Sequence, residues 1–231
     1  MSSNQFWTSQ LEARLQAWHS LQQLAGQTKA APCITIAREF GCQGYPLAQR
    51  LVDRFNARTA GDPWILIGRQ VLDEVAKLSG YTVEQIEKSQ DTPPSLKAIF
   101  SMFLDRSRAE ETEVFTHMRS VIRGFARRGN CVILGRGGVY AAQDLKNCIH
   151  VRLVADADFR LEKIMDTYSL SQEEAREHVA AHQKQRDEFI ARFTGADITN
   201  PRLYHLLLNN SRLDIDKIAD VVEEYLMRYT L

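Results

Sequence analysis

The sequence predicts an α/β protein built on a parallel sheet covered by helices on both faces. Three observations predict it. Five short runs, "CITIA" at 33–37, "WILI" at 64–67, "CVIL" at 131–134, "CIHVRLVA" at 148–155 and "HLLLN" at 205–209, are aliphatic or β-branched and too short for buried helices. Helical patterns alternate with them, at about 46–57, 69–79, 95–128, 156–167, 171–193 and 214–229. The 231 residues are 44% hydrophobic and 25% charged, a globular composition with enough apolar material for a substantial core. Strands alternating with helices put ligands at the carboxyl ends of the strands.

At the N-terminus, residues 5–25 set Trp7, Leu11, Leu15, Trp18 and Leu21 at three- and four-residue steps, an amphipathic helix whose stripe needs a partner surface. Its own domain is the expected partner, and a homodimer contact is the alternative. "AGQTKAAP" at 25–32 reads as a linker, which divides residues 1–31 from a domain at 32–231. Residues 68–129 hold more helix than a crossover needs, and residues 168–204 form a highly charged helical segment before the last strand. Both read as insertions over the ligand edge, the first able to hold an acceptor and the second able to close as a lid.

The 29 acidic and 29 basic residues cancel, so no overall field draws the chain to nucleic acid or to an anionic membrane. Anion binding must be local. Cys33, Cys42, Cys131 and Cys148 stand singly with no CxxC spacing, and three of them fall in or beside strands, where a reduced thiol packs as a small apolar group. The start of the chain lacks a signal-peptide pattern, and no run of ~18 apolar residues offers a membrane span. The expectation is a cytoplasmic protein.

"ITIAREFGCQGYPLAQRL" at 34–51 reads as strand, glycine-bearing turn and helix, the layout of a phosphate-binding loop. Gly41 and Gly44 permit a close approach of backbone N–H groups to an anion, and Pro46 suits the start of a helix. A helix N-terminus attracts phosphate. The lysine such a loop usually carries is absent.

The chain from about residue 33 onward resembles the cytidylate kinase-like family of P-loop nucleoside monophosphate kinases. The resemblance is carried by "ITIAREFGCQG", by "VIRGFARRGNCVILGRGG" at 121–138, by "VRLVADADFRLEKI" at 151–164 and by "QRDEFIARFTGADITNPRLYHLLLNNSRLDIDKIADVV" at 185–222. It implies a three-layer P-loop kinase fold with a five-stranded parallel sheet, a helical acceptor-binding insertion and a lid. It also implies transfer of phosphate from ATP, with Mg²⁺, to CMP or dCMP. The family's first loop reads like (S/A)REFGSGG, a pattern kept by Ala37, Arg38, Glu39, Phe40, Gly41 and Gly44, while Cys42 and Gln43 depart from it. Aligned to GxxxxGK(S/T), Gly44 takes the lysine position and Tyr45 the Ser/Thr position. A P-loop lysine neutralises β- and γ-phosphate charge and the hydroxyl ligates Mg²⁺. Arg38 is the nearest cation able to compensate; its alternative is an ion pair with Glu39 or another carboxylate. The implied donor-phosphate set is therefore Arg38, Gly41, Cys42, Gln43, Gly44 and Tyr45.

"GRGG" at 135–138 puts Arg136 at the substrate edge, where a planar guanidinium suits phosphate and the resemblance implies acceptor contact; bracing the loop is the other reading. Cytidylate kinases commonly read GRD here, so Gly137 lacks a carboxylate, as do Gly68 and Gln183 where the family pattern has aspartates. Arg119 and Arg123 lie four apart on one helical face, continued by Arg127, able either to receive an acceptor phosphate or to form a solvated stripe balanced by Glu110, Glu111 and Glu113.

Arg160 resembles the family's arginine before the lid and Arg186 a lid arginine; both are the catalytic candidates, because migrating phosphate is stabilised by positioned cations. Surface pairs with Asp158, Glu162, Asp187 and Glu188 are the alternative. His178 and His182, four apart, lack a third metal ligand and read as a solvated lid face, so no metal site is expected in the protein itself. Asp156 and Asp158 read as helix caps, as does Ser211 or Asp214 before the last helix. Nucleotide substrates are the expected partners. The lost lysine, hydroxyl and three carboxylates leave two further readings: a nucleotide-binding sensor or partner-binding module without turnover, and a kinase for another acceptor.

Overall fold

The computed structural model describes residues 31–58, 61–68, 119, 122–135, 137–195 and 197–229, the side chains of 192 and 193 excepted. All fall within one compact unit, Ala31–Leu231. The helices expected at 5–25 and 69–79, the linker before residue 31, most of the 68–129 insertion and Arg136 lie outside the described residues.

Five parallel strands, β1 (Cys33–Arg38), β2 (Ile65–Ile67), β3 (Cys131–Leu134), β4 (Cys148–Val154) and β5 (Leu206–Asn209), lie in the order β2-β3-β1-β4-β5. The expected α/β class and five-strand count hold. Cys33 stands opposite both Cys131 and Cys148, so the three central strands start level on buried, free thiols. Strand ends differ from expectation where side chains take over the backbone's bonds. Trp64 stays out of β2 because its N–H donates to Asn56 Oδ1 (2.6 Å), Asn56 Nδ2 donates back to its carbonyl (3.1 Å), and its ring stacks on Phe55.

Helices fill both faces. On one, α1 (Gly44–Arg58) and α5 (Ile215–Tyr229) pack Leu47, Leu51, Val52, Ile218, Val222 and Leu226 onto Ile34, Ile36, Val132, Ile149, Val151 and Leu153. Each such fully buried aliphatic side chain contributes roughly 1.5–3 kcal/mol of transfer free energy. The helix starts two residues before the expected 46, with Pro46 in the first turn, where its missing N–H costs nothing. Across the top of this pair, Arg54 pairs with Asp216, Asp220 and Glu223, Arg58 with Glu223, and Arg50 with Asp216.

The other face carries the helical run 122–128 and a short helix, α2 (Gly138–Ala142), which was not expected because five residues are too few to show a helical period. Gly138 is obligatory there, since a Cβ would stand 2.8 Å from Ile133 Cγ2. On this face Thr35 Oγ1 lies 2.7 Å from His150 Nδ1, and burial pushes the His150 pKa down to about 4.

α3 (Ala157–Tyr168) leads into α4 (Gln172–Thr194), the long helix of the 168–204 segment read from sequence as a lid. Ser171 opens α4 with a reciprocal capping box to Glu174, and Gly195 at φ 63° closes it. Near Phe40, α4 packs Ala175 and Val179 against Ile164 and Leu161 of α3; its far end packs Ile190 against Val139 and Tyr140 of α2. The lid helix therefore lies across the site edge of the sheet, anchored at both ends. No helix among the described residues is long and apolar enough to cross a membrane.

Candidate functional site

The order β2-β3-β1-β4-β5 puts the connections after β1 and β3 side by side at the carboxyl edge, where a crevice for ligands opens in sheets of this kind. The loop after β1 fills one side of it. Gly41, at φ 93°, has no room for a side chain, since a Cβ would stand 2.6 Å from Arg160 Cβ and 2.8 Å from Arg160 O. The loop thus rests directly on the first turns of α3.

Arg38 leaves the end of β1 and runs over the start of α1. A Cβ on Gly44 would lie 3.1 Å from its Cγ and Cδ, and a Cβ on Gly135, at φ 70° after β3, would lie 2.0 Å from its Nη1. The guanidinium therefore reaches from the loop after β1 to the turn that begins "GRGG". Glu39 Oε2 accepts from the Ala155 amide (3.1 Å) and stands 3.7 Å from Arg160 Nε.

Several loop amides are already engaged. Cys42 N–H donates to Glu39 O, Gly44 N–H to Cys42 O (2.8 Å), and Gln43 N–H to Asn210 Oδ1 (2.9 Å). Asn210, buried at the end of β5, also donates to Leu213 O and so ties the loop to the base of α5. The Cys42 thiol is pushed up to about 12 by burial and Glu39, with Arg160 and Arg186 opposing; it is a packing group rather than a nucleophile. Tyr45 points to solvent, 58% exposed.

The lid grips this loop at Phe40. Gln183 Oε1 accepts from the Phe40 amide (2.7 Å) while its Nε2 donates to Asp187 Oδ1. The Phe40 ring stacks on His182 at 4.8 Å and 13°, and carries the Arg186 guanidinium 4.8 Å from its centroid. His178 and His182 are thus not the solvated face expected from sequence; the buried Phe40 ring and each other's rings half-cover them. Among the described residues no group of three His, Cys, Asp or Glu side chains is placed to hold a metal ion.

Arg186 is the outlier. Its Nη1 is buried with no hydrogen-bond partner, and burial pulls its pKa down to about 10, which leaves it a cation at neutral pH. Arg160 is anchored instead, with Nε donating to Ala155 O (3.2 Å) and Nη1 3.5 Å from Phe40 O. Beside it a cleft of about 590 Å³ opens between α3 and α4, floored by Leu161, Val179 and Ala180.

Arg123, expected from sequence as an acceptor candidate, is held in a bidentate pair with Asp144, 2.5 Å on each arm, and also donates to Ala141 O. That pairing holds the Asp144 carboxyl down, to about 2. Arg119 and Arg127 are exposed on the helical run. The cap expectations resolve individually: Asp156 is the N-cap of α3 by position, yet its side chain makes no capping bond and its amide donates to Ser211 Oγ. Asp214, whose Oδ1 accepts from the Lys217 amide, caps α5.

Sequence reasoning missed Phe40 as the lid's anchor, Asn210 as the loop's tether and Gly135 as the seat of Arg38. For Asn210 a signal existed, a polar residue directly after an apolar strand; nothing in the sequence shows which ring Arg186 covers.

Comparison with known proteins follows the same lines. A structure of an uncharacterized protein from Eubacterium ventriosum superposes with a TM-score of 0.63 at 20% identity, covering 84% of this chain and 98% of that one. Shikimate kinase from Bacteroides thetaiotaomicron aligns at 15% identity and a TM-score of 0.48, over 85% of this chain and 98% of that one. Among curated proteins, uronate isomerase from Corynebacterium glutamicum is 28% identical over 101 residues, 43% of this chain and 20% of that protein, so the chain spans about a fifth of that relative's length. The Eubacterium ventriosum protein thus shares the fold. Residues 33–212, most of the chain and all of the loop, turn and lid described above, match the cytidylate kinase-like family, and the chain belongs to it.

Proposed function

We propose that this protein transfers the terminal phosphoryl group of Mg-ATP to a nucleoside monophosphate, with CMP or dCMP the first acceptor to test. The observation that carries the reading is Arg186, a desolvated cation with an unused donor, held by the lid over the donor loop. A buried N–H without an acceptor is costly in a native structure. An anionic oxygen entering the loop–lid junction supplies that acceptor.

The chemistry asks little else of the protein. An oxygen of the acceptor's phosphate, largely ionised at neutral pH, attacks the terminal phosphorus as the bond to the β-phosphate oxygen breaks, giving a nucleoside diphosphate and ADP. No side chain needs to remove a proton. Charge on the migrating group is met by Arg186, with Arg160 at the loop's other flank and Arg38 from β1. The start of α1 adds the partial positive charge of a helix N-terminus, in a loop where the amides of residues 42–44 are bonded within the protein. Arg136 and Arg119 remain the acceptor candidates, while Arg123 acts through Asp144 to brace α2.

The residues present do not fit a metal held through a loop hydroxyl, because the position offers the exposed phenol of Tyr45. Mg²⁺ belongs here to the substrate, carried on the nucleotide's phosphates.

Incubation with Mg-ATP and each common nucleoside or deoxynucleoside monophosphate, followed by chromatography, tests the proposal. CDP or dCDP is the expected product. Nucleotide binding with no diphosphate formed from any acceptor would overturn it.

A further inference from the structure

The glycines at 44 and 135 are 91 residues apart in sequence and share a neighbour. Both lie against the same side chain: Arg38 Cγ and Cδ cover Gly44, and Arg38 Nη1 covers Gly135. A lysine at position 44, where a P-loop carries it, would begin its stem 3.1 Å from two Arg38 carbons, tighter than ordinary van der Waals contact. The Arg38 stem would have to shift by a few tenths of an ångström to admit it.

We infer that Arg38 and Gly44 are a transposed pair, in which the phosphate-binding cation of the loop has moved from the first turn of α1 to the end of β1. The inference rests on the phosphotransfer reading for its substrate, and on the contacts of Arg38 for its geometry. The new position changes what the cation reaches. From α1, a lysine addresses only phosphates lying on the loop; from β1, the guanidinium ends at the turn after β3, between the donor loop and the acceptor side. A planar fork with paired N–H groups is suited to oxygens of two neighbouring phosphates, which a point-like ammonium is not. The ligand class is a polyphosphate whose terminal group reaches the Gly135 turn.

The transposition also accounts for Gly44 having ordinary helical dihedrals. Gly41 and Gly135 need positive φ, but Gly44 does not, so its small size answers to its neighbours, the Arg38 stem at 3.1 Å and Leu134 Cδ1 at 3.3 Å.

Four variants of the full chain test this: Arg38→Met, which keeps the stem and removes the charge, Arg38→Gly, Gly44→Lys, and Arg38→Gly/Gly44→Lys. Inorganic tripolyphosphate binding by calorimetry is read for each, with thermal melting as the check on folding and ATP-dependent turnover as a separate readout. Arg38→Met is expected to fold as the parent does and to lose at least about tenfold in tripolyphosphate affinity. Arg38→Gly should lose as much, and the double variant should regain most of the loss because the lysine then occupies the vacated path. Gly44→Lys alone should melt lower than the parent. Tripolyphosphate binding unchanged in Arg38→Met, absent in the parent, or not restored in a folded double variant overturns the transposition. Charge-dependent binding in a parent that turns over no nucleotide leaves the transposition standing and removes the kinase reading; turnover unaffected by Arg38→Met does the reverse.

Discussion

Two groups of arginines lie at opposite ends of α1, and their environments differ. At its C-terminal half, Arg50, Arg54 and Arg58 meet Asp216, Asp220 and Glu223 of α5, and hydrogen bonds to Asp220 raise the Arg54 pKa. At its N-terminal end, Arg186 lies over an aromatic ring, and burial lowers its pKa. The residue type is the same and the sign of the shift is opposite. A guanidinium among carboxylates is satisfied by the fold, whereas one desolvated on a ring with a spare donor is satisfied only when an anion arrives. The first group holds two helices together; on the proposed function the second is the one that meets substrate.

The largest expected effect separates the groups by what each loses. Arg186→Ala should lower turnover by about 10²–10³, the usual loss on removing one positioned donor to a transition state. Its melting temperature should stay level or rise, because an unpaired buried cation is relieved. Arg54→Ala should reverse the pattern, with turnover within about twofold of the parent and stability down by about 1 kcal/mol. A loss of stability in Arg186→Ala comparable to that in Arg54→Ala would erase the distinction.

A smaller effect sharpens the paired side. Glu223 is 5% exposed and faces both Arg54 and Arg58, the latter at 3.0 Å. Glu223→Ala removes a buried carboxylate but leaves two arginines with routes to water, Arg54 keeping Asp216 and Asp220 as partners. Urea unfolding should show a loss of about 2 kcal/mol, between a surface pair and a fully buried one. A loss of turnover without a loss of stability would mean that the network reaches the site.

These contrasts explain which parts of the molecule were legible in the sequence. The strands were, because "CVIL" or "CITIA" between two-sided helices leaves few alternatives, and β3 begins and ends where its apolar run does. The loop was legible from Gly41, whose positive φ and contact with Arg160 demand glycine. The state of each arginine was not. Arg123 is clamped by Asp144, 21 residues away, while Arg186 is passed over by its neighbour Asp187, which instead accepts from Gln183. Arginine pairing is decided by which strands and helices become neighbours, and a sequence states that only after the fold is known. Phe40 illustrates the same limit: a ring in a loop signals burial, but what covers it comes from a helix more than 140 residues later.

The last contrast is in response to acid. His182 stacks on Phe40, with His178 and Arg186 on neighbouring turns of α4 and Tyr168 of α3 against His178. Burial first, then the charges of His178 and Arg186, hold the His182 pKa below its usual value. A histidine held neutral in this way supports the packed lid above its ordinary pKa near ~6.5 and withdraws that support as pH falls toward the depressed value. Protonation would set a second cation beside Arg186 on one ring. Hydrogen exchange should therefore show the protection of the Phe40 amide, bonded to Gln183, weakening from about pH 7 to about pH 5, by at most about 1.4 kcal/mol per pH unit. Amides of the α1 interior should keep their protection at the upper part of that range, since their ion pairs are formed by arginines and carboxylates. His182→Gln should flatten the Phe40 profile, and a profile unchanged by that substitution would place the acid response in another group. If Phe40 protection stays constant while the α1 amides weaken, the end of the molecule that answers to protons is the paired one, and the contrast between the two arginine groups fails at its site end.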